Sequence, residues 1–495
     1  MKQDDLYIFI QNMTKQEKIF FKRYAHVSNN KKGKHYMSLF KLIERQLKKG
    51  NVVDEELLKK KFQYLSVEKR YLLNILIKAL TVFHEKDKGF FYIKTLTKQI
   101  RVLIDKRVFL EAEKLYVKAV AFAEQYNLFD DLLILSNLKM TMTDYQGTLN
   151  VADEMRGVID DKLHRIDQIV NYDQYSLLIY QIQHFLSQHG YIDTVEKEQE
   201  FNALIDEPLL ENQENALSTR AKELYFMAKS SIYESQYNFE QEHKVFQERL
   251  VLMNEHPHLY SAYNRIIFMH NYVMSCIKVG ALEEYQEQLQ HLDEQVAAYP
   301  VQSGFIFAFS YLCHLDGNSK FGVFEDNRRW IAKTEEALSL YNDFVPIQEE
   351  YLCLSLGRAC MELGDYEKAL DYLYRVDEHK LFAKRSITNM ASKLLTIICY
   401  YELEWHSNLE SAILSFYRQI RRAAIKFKLY ESLLKYLKLR IANKDLRNRK
   451  TLQFFYGEWE SIAPNSKEMI PFHFFHYKEW LRSKIENKPL SAYFQ

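Results

Sequence analysis

Proline is scarce in this chain and comes late: seven in 495 residues, the first at Pro208. Glycine, at thirteen, is also below ordinary usage, while Leu, Lys, Glu and Gln are plentiful. That balance favours helices over strands. The five cysteines, Cys276, Cys313, Cys353, Cys360 and Cys399, form no CxxC pair and are odd in number, which suits a reducing compartment. Cys353 and Cys360 share a helix face but lie about 10 Å apart along the axis, too far for a disulfide.

Long apolar runs are missing too. Leu72 to Phe83 and Phe305 to Leu315 are shorter than the roughly eighteen residues a membrane helix needs, and Lys78 interrupts the first. The N-terminus, MKQDDLYIFIQNM, is acidic where a signal peptide is basic, so the expected location is the cytoplasm, without a membrane partner. A formal charge of +1 excludes a globally basic nucleic-acid binder but leaves room for a local patch. There is no GxxxxGK[ST], no strand followed by GxGxxG, no HExxH and no GxSxG. The chain therefore reads as a protein without a cofactor and not as an enzyme. His473 and His476 lack companion ligands and read as structural histidines among aromatics, and Glu283 with Glu284 as solvated surface.

What is abundant is aromatic: thirty-five Tyr and thirty-two Phe, mostly at helical spacing beside Leu and Ile, as core knobs would be. The clearest stretch is Glu350 to Val376. Its first helix carries Tyr351, Leu352, Leu354, Leu356, Ala359, Cys360 and Leu363 three and four apart. Gly364-Asp365 supplies a turn, and Tyr366, Ala369, Leu370, Leu373 and Val376 form the apolar face of a second helix. Gly357 and Ala369 stand where the two helices must touch.

Leu356, Gly357, Gly364, Tyr366, Ala369 and Leu373 fall in register with the tetratricopeptide repeat, a 34-residue helical hairpin, and the chain resembles that family over this unit. Val376 stands where the family has Ala. Phe109, Ala112, Tyr116 and Ala119 make a second, partial match, and Ala337 lies 32 residues before Ala369, close to one repeat. The resemblance implies an all-α superhelix of antiparallel hairpins that binds a peptide or protein segment in its groove. Tyr351, Leu354, Arg358, Met361 and Glu362 would line that groove.

Along the chain, residues 1–88 read as a compact helical head. Thr14 and Glu17 have capping-box spacing, and Ser66 is an expected N-cap. A helix-turn-helix reading, with Lys69 and Arg70 toward DNA, is the alternative there. Degenerate repeats fill 89–462, Asp153 to Gln188 being long enough for two helices. Residues 463–495 form a tail, read as a cap on the last hydrophobic face or as a docking peptide.

One segment departs from a bland surface. Between Arg418 and Lys450 twelve cations face only Glu431 and Asp445. They include Arg418, Arg421, Arg422, Lys426, Lys428, Lys435, Lys438 and Arg440, with Tyr417, Phe427, Tyr430 and Tyr436 interleaved. Such a patch suits an acidic protein partner first and single-stranded nucleic acid second.

Overall fold

The computed structural model describes residues 5–27, 33–47, 53–84, 90–147, 151–189, 192, 195–301, 303–378, 386–422, 427–442, 449–462 and 467–494. Among these the chain is all-α, with every regular element a helix and no strand. It divides into two compact units, 1–169 and 170–495, and the division falls inside one helix.

The first unit begins with α1 (Asp5–Asn12), α2 (Lys15–Val27), α3 (Gly33–Leu47), α4 (Glu55–Lys61) and α5 (Leu65–His84). They share a core built on Ile10, Phe21, Phe40, Leu72 and Leu76. The Thr14–Glu17 capping box forms: the Thr14 amide donates to Glu17 Oε2 at 2.6 Å and the Glu17 amide to Thr14 Oγ1 at 3.2 Å. Ser66, expected to cap α5, is instead its second residue, because the Glu68 amide already bonds the Tyr64 carbonyl at 3.0 Å. Then follow α6 (Phe90–Asp105), α7 (Phe109–Gln125) and α8 (Phe129–Gln146), with Ala112, Ala119 and Leu135 in a second core. Where two helices were allowed there is one, α9 (Val151–His189), uninterrupted because no proline or glycine breaks its hydrogen-bond ladder near the middle.

The second unit opens with the C-terminal part of α9, followed by α10 (Val195–Ile205), and continues as five antiparallel hairpins. These are α11 (Thr219–Ser235) with α12 (Phe239–Glu255), α13 (Ala262–Val279) with α14 (Leu282–Ala298), and α15 (Gly304–Lys320) with α16 (Asn327–Leu340). They continue as α17 (Pro346–Glu362) with α18 (Tyr366–Glu378) and α19 (Ser386–Glu402) with α20 (His406–Arg422). The chain ends in α21 (Lys428–Ala442), α22 (Arg449–Glu460) and α23 (Tyr477–Glu486). First helices stack on first helices, α13 on α15, α15 on α17 and α17 on α19, which is superhelical solenoid packing.

One backbone turn builds these hairpins. One or two residues past the first helix a residue enters the left-handed region, and the next amide reaches back five residues to a helix carbonyl, closing the helix end. Gly364 does so at φ +80°, with the Asp365 amide 2.9 Å from the Cys360 oxygen. Tyr237, Gly280, Gly322 and Glu404 hold the same place, and in the first unit so do Arg107 and Asn127. From Tyr237 to Gly280 the interval is 43 residues, then 42 to Gly322, 42 to Gly364 and 40 to Glu404. The repeat is thus longer than 34, because most of these helices run to about seventeen residues. The 32-residue step from Ala337 to Ala369 is not the structural period: five residues after the turn, the place of Ala369 is taken in α16 by Asn327.

The hairpin of Glu350 to Val376 closes as its small residues demand. A Cβ on Gly357 would lie 2.9 Å from Leu373 Cδ2 and 3.4 Å from the Ala369 oxygen, so only glycine allows α17 and α18 this approach. At the far end α23 packs on α22, and Trp480, almost wholly buried, donates from Nε1 to Glu402 Oε1 at 2.6 Å. The tail helix is therefore packed on its own chain. The residues just before it do something else.

Candidate functional site

Ile470 to His476 cross the inner face of the stacked first helices and enclose a cavity of about 480 Å³. Its wall comes from α11, α12, α13, α15 and α17 on one side and from this returning segment on the other. Tyr351, Leu354 and Arg358, spaced three and four apart on α17, face it together with Ser355. Met361 does not. Three further steps along the helix rotate it about 60° from Arg358, into the core. Glu362 lies beneath the wall and does not line it.

Two charge clusters organise the wall. In the first, Lys278 Nζ sits 2.8 Å from Glu234 Oε1 and 2.9 Å from Glu242 Oε1. The two carboxylates hold the Lys278 ammonium charged in spite of its burial, and burial pushes the Glu242 carboxyl up to about 7. In the second, the Arg358 guanidinium pairs with Asp316, which also accepts from Ser355 Oγ at 2.6 Å. Ser319 Oγ donates to Glu362 Oε2 at 2.5 Å. Glu362 Oε1 has no hydrogen-bond partner and lies 3.9 Å from both Arg358 Nε and His476 Nε2. Burial pushes the Glu362 carboxyl up to about 7, against the pull of Arg358 and Ser319.

The histidines stay neutral. His476 Nε2 donates to the Ser319 carbonyl at 2.7 Å, and burial drives its pKa down to about 4. The His473 ring meets the Phe239 ring edge-on at 5.0 Å, and desolvation, with the Lys320 and Lys278 cations, also holds it near about 4. Phe324 and Phe494 contact His476, so both histidines are embedded among aromatics as their sequence context suggested. Lys320 differs from the other two cations of the wall: it forms no ion pair with any described residue, and desolvation lowers its pKa.

Among the described residues one group has ligand-like composition, His243, Cys276 and Glu284, with donor atoms within 4.8 Å of one another. Its polar atoms are already used. His243 joins Ser275 Oγ at 3.0 Å and Glu284 Oε2 at 3.0 Å, Tyr272 and Gln247 also donate to Glu284, and burial pushes the Cys276 thiol up to about 12. A protonated thiol is a poor metal ligand, and the group reads as a knot tying α12, α13 and α14 together. Glu284 is thus not merely solvated surface, as its sequence context suggested: α14 turns it toward His243, while neighbouring Glu283 stays exposed.

The basic segment sorts differently from its sequence reading. Arg418, Arg421, Lys428, Lys435 and Lys438 are exposed, with Lys438 Nζ 4.2 Å above the Tyr417 ring. Lys426 and the side chains of Arg422 and Arg440 lie outside the described residues. Of the interleaved aromatics only Tyr417 is exposed; Phe427, Tyr430 and Tyr436 are core residues and offer no face for a base to stack on. In the head, Lys69 is engaged by Glu55 at 2.7 Å and lies over the Tyr7 ring.

No helix among the described residues is long and apolar enough to cross a membrane. No protein-family model matches the chain, and no curated protein matches it.

Proposed function

We propose that this protein is a non-catalytic interaction scaffold, tetratricopeptide-like in its mode of action, whose inner face holds a short segment of a protein partner. One observation carries the reading: the face already accepts a short aromatic segment of its own chain, Ile470 to His476, which enters as the end of a 3-10 helix (Lys467–His473), and still leaves a cavity beside it. Short segments bind such faces through side chains seated between helices, and the mixture of Tyr351, Leu354, Phe239 and paired charges suits a peptide better than a flat protein surface.

The test is capture by the immobilised full chain, compared with Asn271→Trp, which places an indole in the cavity from an exposed wall position. The expected result is a partner whose retention is resistant to nuclease, is lost with the tryptophan, and maps by protease protection to one short segment. Retention unaffected by Asn271→Trp would overturn the reading. A second reading, binding of single-stranded nucleic acid, rests on the exposed Arg418, Arg421, Lys428, Lys435 and Lys438; it predicts capture that is sensitive to salt and nuclease and lost on charge reversal of Arg418 and Arg421.

A further inference from the structure

We infer that the inner-face cavity is a binding site for a small organic anion with a flat apolar body, its carboxylate or phosphate meeting Lys320. The inference stands apart from any protein partner, because it concerns the chamber itself.

The first argument is size and lining. About 480 Å³ lies within the range of small-molecule sites, and the wall alternates aromatic and aliphatic surface, Phe239, Phe246, Leu354 and Phe472 among it, with a few convergent polar groups. A flat apolar body is what such a wall removes from water at roughly 25 cal/mol per Å².

The second argument is charge. Three cations line the chamber, and two are matched: Lys278 by Glu234 and Glu242, Arg358 by Asp316. Lys320 forms no ion pair with any described residue, Glu479 acting on it only through its field. It lies close enough to His473 and His476 to depress both imidazoles, so its charge is felt at the segment that encloses the chamber. Those imidazoles are neutral, which makes them hydrogen-bonding groups without competing charge. Lys320 is an exposed residue and Glu479 is the carboxylate whose field reaches it, without an ion pair; an anion at the chamber would meet this ammonium directly, while the carboxylates of the wall are already paired.

The third argument is the orphaned polar edge at the same end. Arg358 Nε is buried without a hydrogen-bond partner, beside the unpartnered Glu362 Oε1. Glu362, with its raised pKa, contributes less negative charge near neutrality than its position suggests, and the chamber's balance tilts positive.

The experiment titrates the full-length protein with benzoate, phenyl phosphate, inorganic phosphate and neutral benzamide, by calorimetry at low salt, alongside Lys320→Gln and Lys320→Arg. The expected result is saturable binding of benzoate or phenyl phosphate, at least tenfold weaker for benzamide and for Lys320→Gln, and retained by Lys320→Arg. Which aryl anion binds assigns the headgroup. Inorganic phosphate binding as tightly as phenyl phosphate refutes the apolar body, and absence of binding by both aryl anions, or equal binding by Lys320→Gln, refutes the site. Because Lys320 pairs with no described residue, Lys320→Gln should fold, and an unchanged thermal midpoint verifies that. A protein partner found or not found leaves these titrations unaffected, so the two readings fail separately.

Discussion

His476 Nε2 donates to the Ser319 carbonyl oxygen at 2.7 Å, joining residues 157 positions apart. The acceptor belongs to the last turn of α15 and already takes the Gly322 amide at 3.3 Å, so the tail adds a second, shorter hydrogen bond to the helix end. His476→Ala should loosen residues 467–476 by about 1 kcal/mol, about a fivefold rise in their amide exchange, with α1 to α5 unchanged. Exchange mass spectrometry reads this directly; no change at 467–476 would mean the segment is held by its aromatic contacts alone. Acid should act in the same direction. With a folded pKa near 4 against an ordinary 6.5, the unfolded histidine takes its proton first, and the stability His476 contributes is lost as pH falls from about 6.5 toward 4.

Gly357 gives the sharpest packing prediction. Alanine there brings a Cβ within 2.9 Å of Leu373 Cδ2 and Cγ, so α17 and α18 must separate, and a loss of about 1–3 kcal/mol is expected in urea unfolding. Gly457, inside α22, has nothing within 4 Å of a built Cβ, and Gly457→Ala should gain about 0.5–1 kcal/mol through helix propensity. Equal effects at the two sites would show that the Gly357 contact is not limiting.

The all-helical class and the α17–α18 hairpin were legible because spacing, turn and small residues agree there. The array was not, for a physical reason visible five residues after each turn. Ala369 fits the expected pattern, but Glu242, Tyr285, Asn327 and Leu409 occupy the same buried place. Each is accommodated by a change in its neighbour: Gly317 makes room for the Tyr285 ring, and Lys278 neutralises Glu242. The turn position is likewise glycine in only some hairpins, Tyr237 and Glu404 bearing a left-handed strain of roughly 1 kcal/mol. Backbone geometry repeats here while side-chain identity does not. Three of the five expected groove residues fall on the cavity wall because they share one face of α17. Its other wall, Ile470 to His476, lies more than a hundred residues downstream, and no local periodicity links the two.

Glu362 should write itself into the pH dependence of stability. Its carboxyl, raised from 4.5 to about 7, binds a proton in the folded chain where the unfolded chain has released it. Stability therefore falls as pH rises from about 4.5 to about 7 and levels off above. Ser319, Arg358, Asp316 and His476 surround it, and Arg358 and Ser319 moderate the effect. Glu362→Gln removes the titration, so the wild type should lose up to about 3 kcal/mol relative to the variant across that window. Urea midpoints at pH 5, 6, 7 and 8 test it, and parallel profiles for the two proteins would reject the assignment.

The cysteines provide a last check on the cores. All five are free and buried, and burial raises each thiol: Cys353 to about 11, Cys276 and Cys360 to about 12, Cys313 and Cys399 further. Thiolate is the reactive form, so at pH 8 a thiol of pKa near 11 is about a thousandth ionised, before access is considered. Ellman's reagent should find well under one equivalent in the native protein within minutes and all five in guanidinium. Cys353 and Cys360 face the α17–α18 core, and should gain reactivity together in Gly357→Ala if that substitution parts the helices, while Cys276, in a separate core, should not. Reaction of Cys276 at the same rate would show that the array opens as one cooperative body and not hairpin by hairpin.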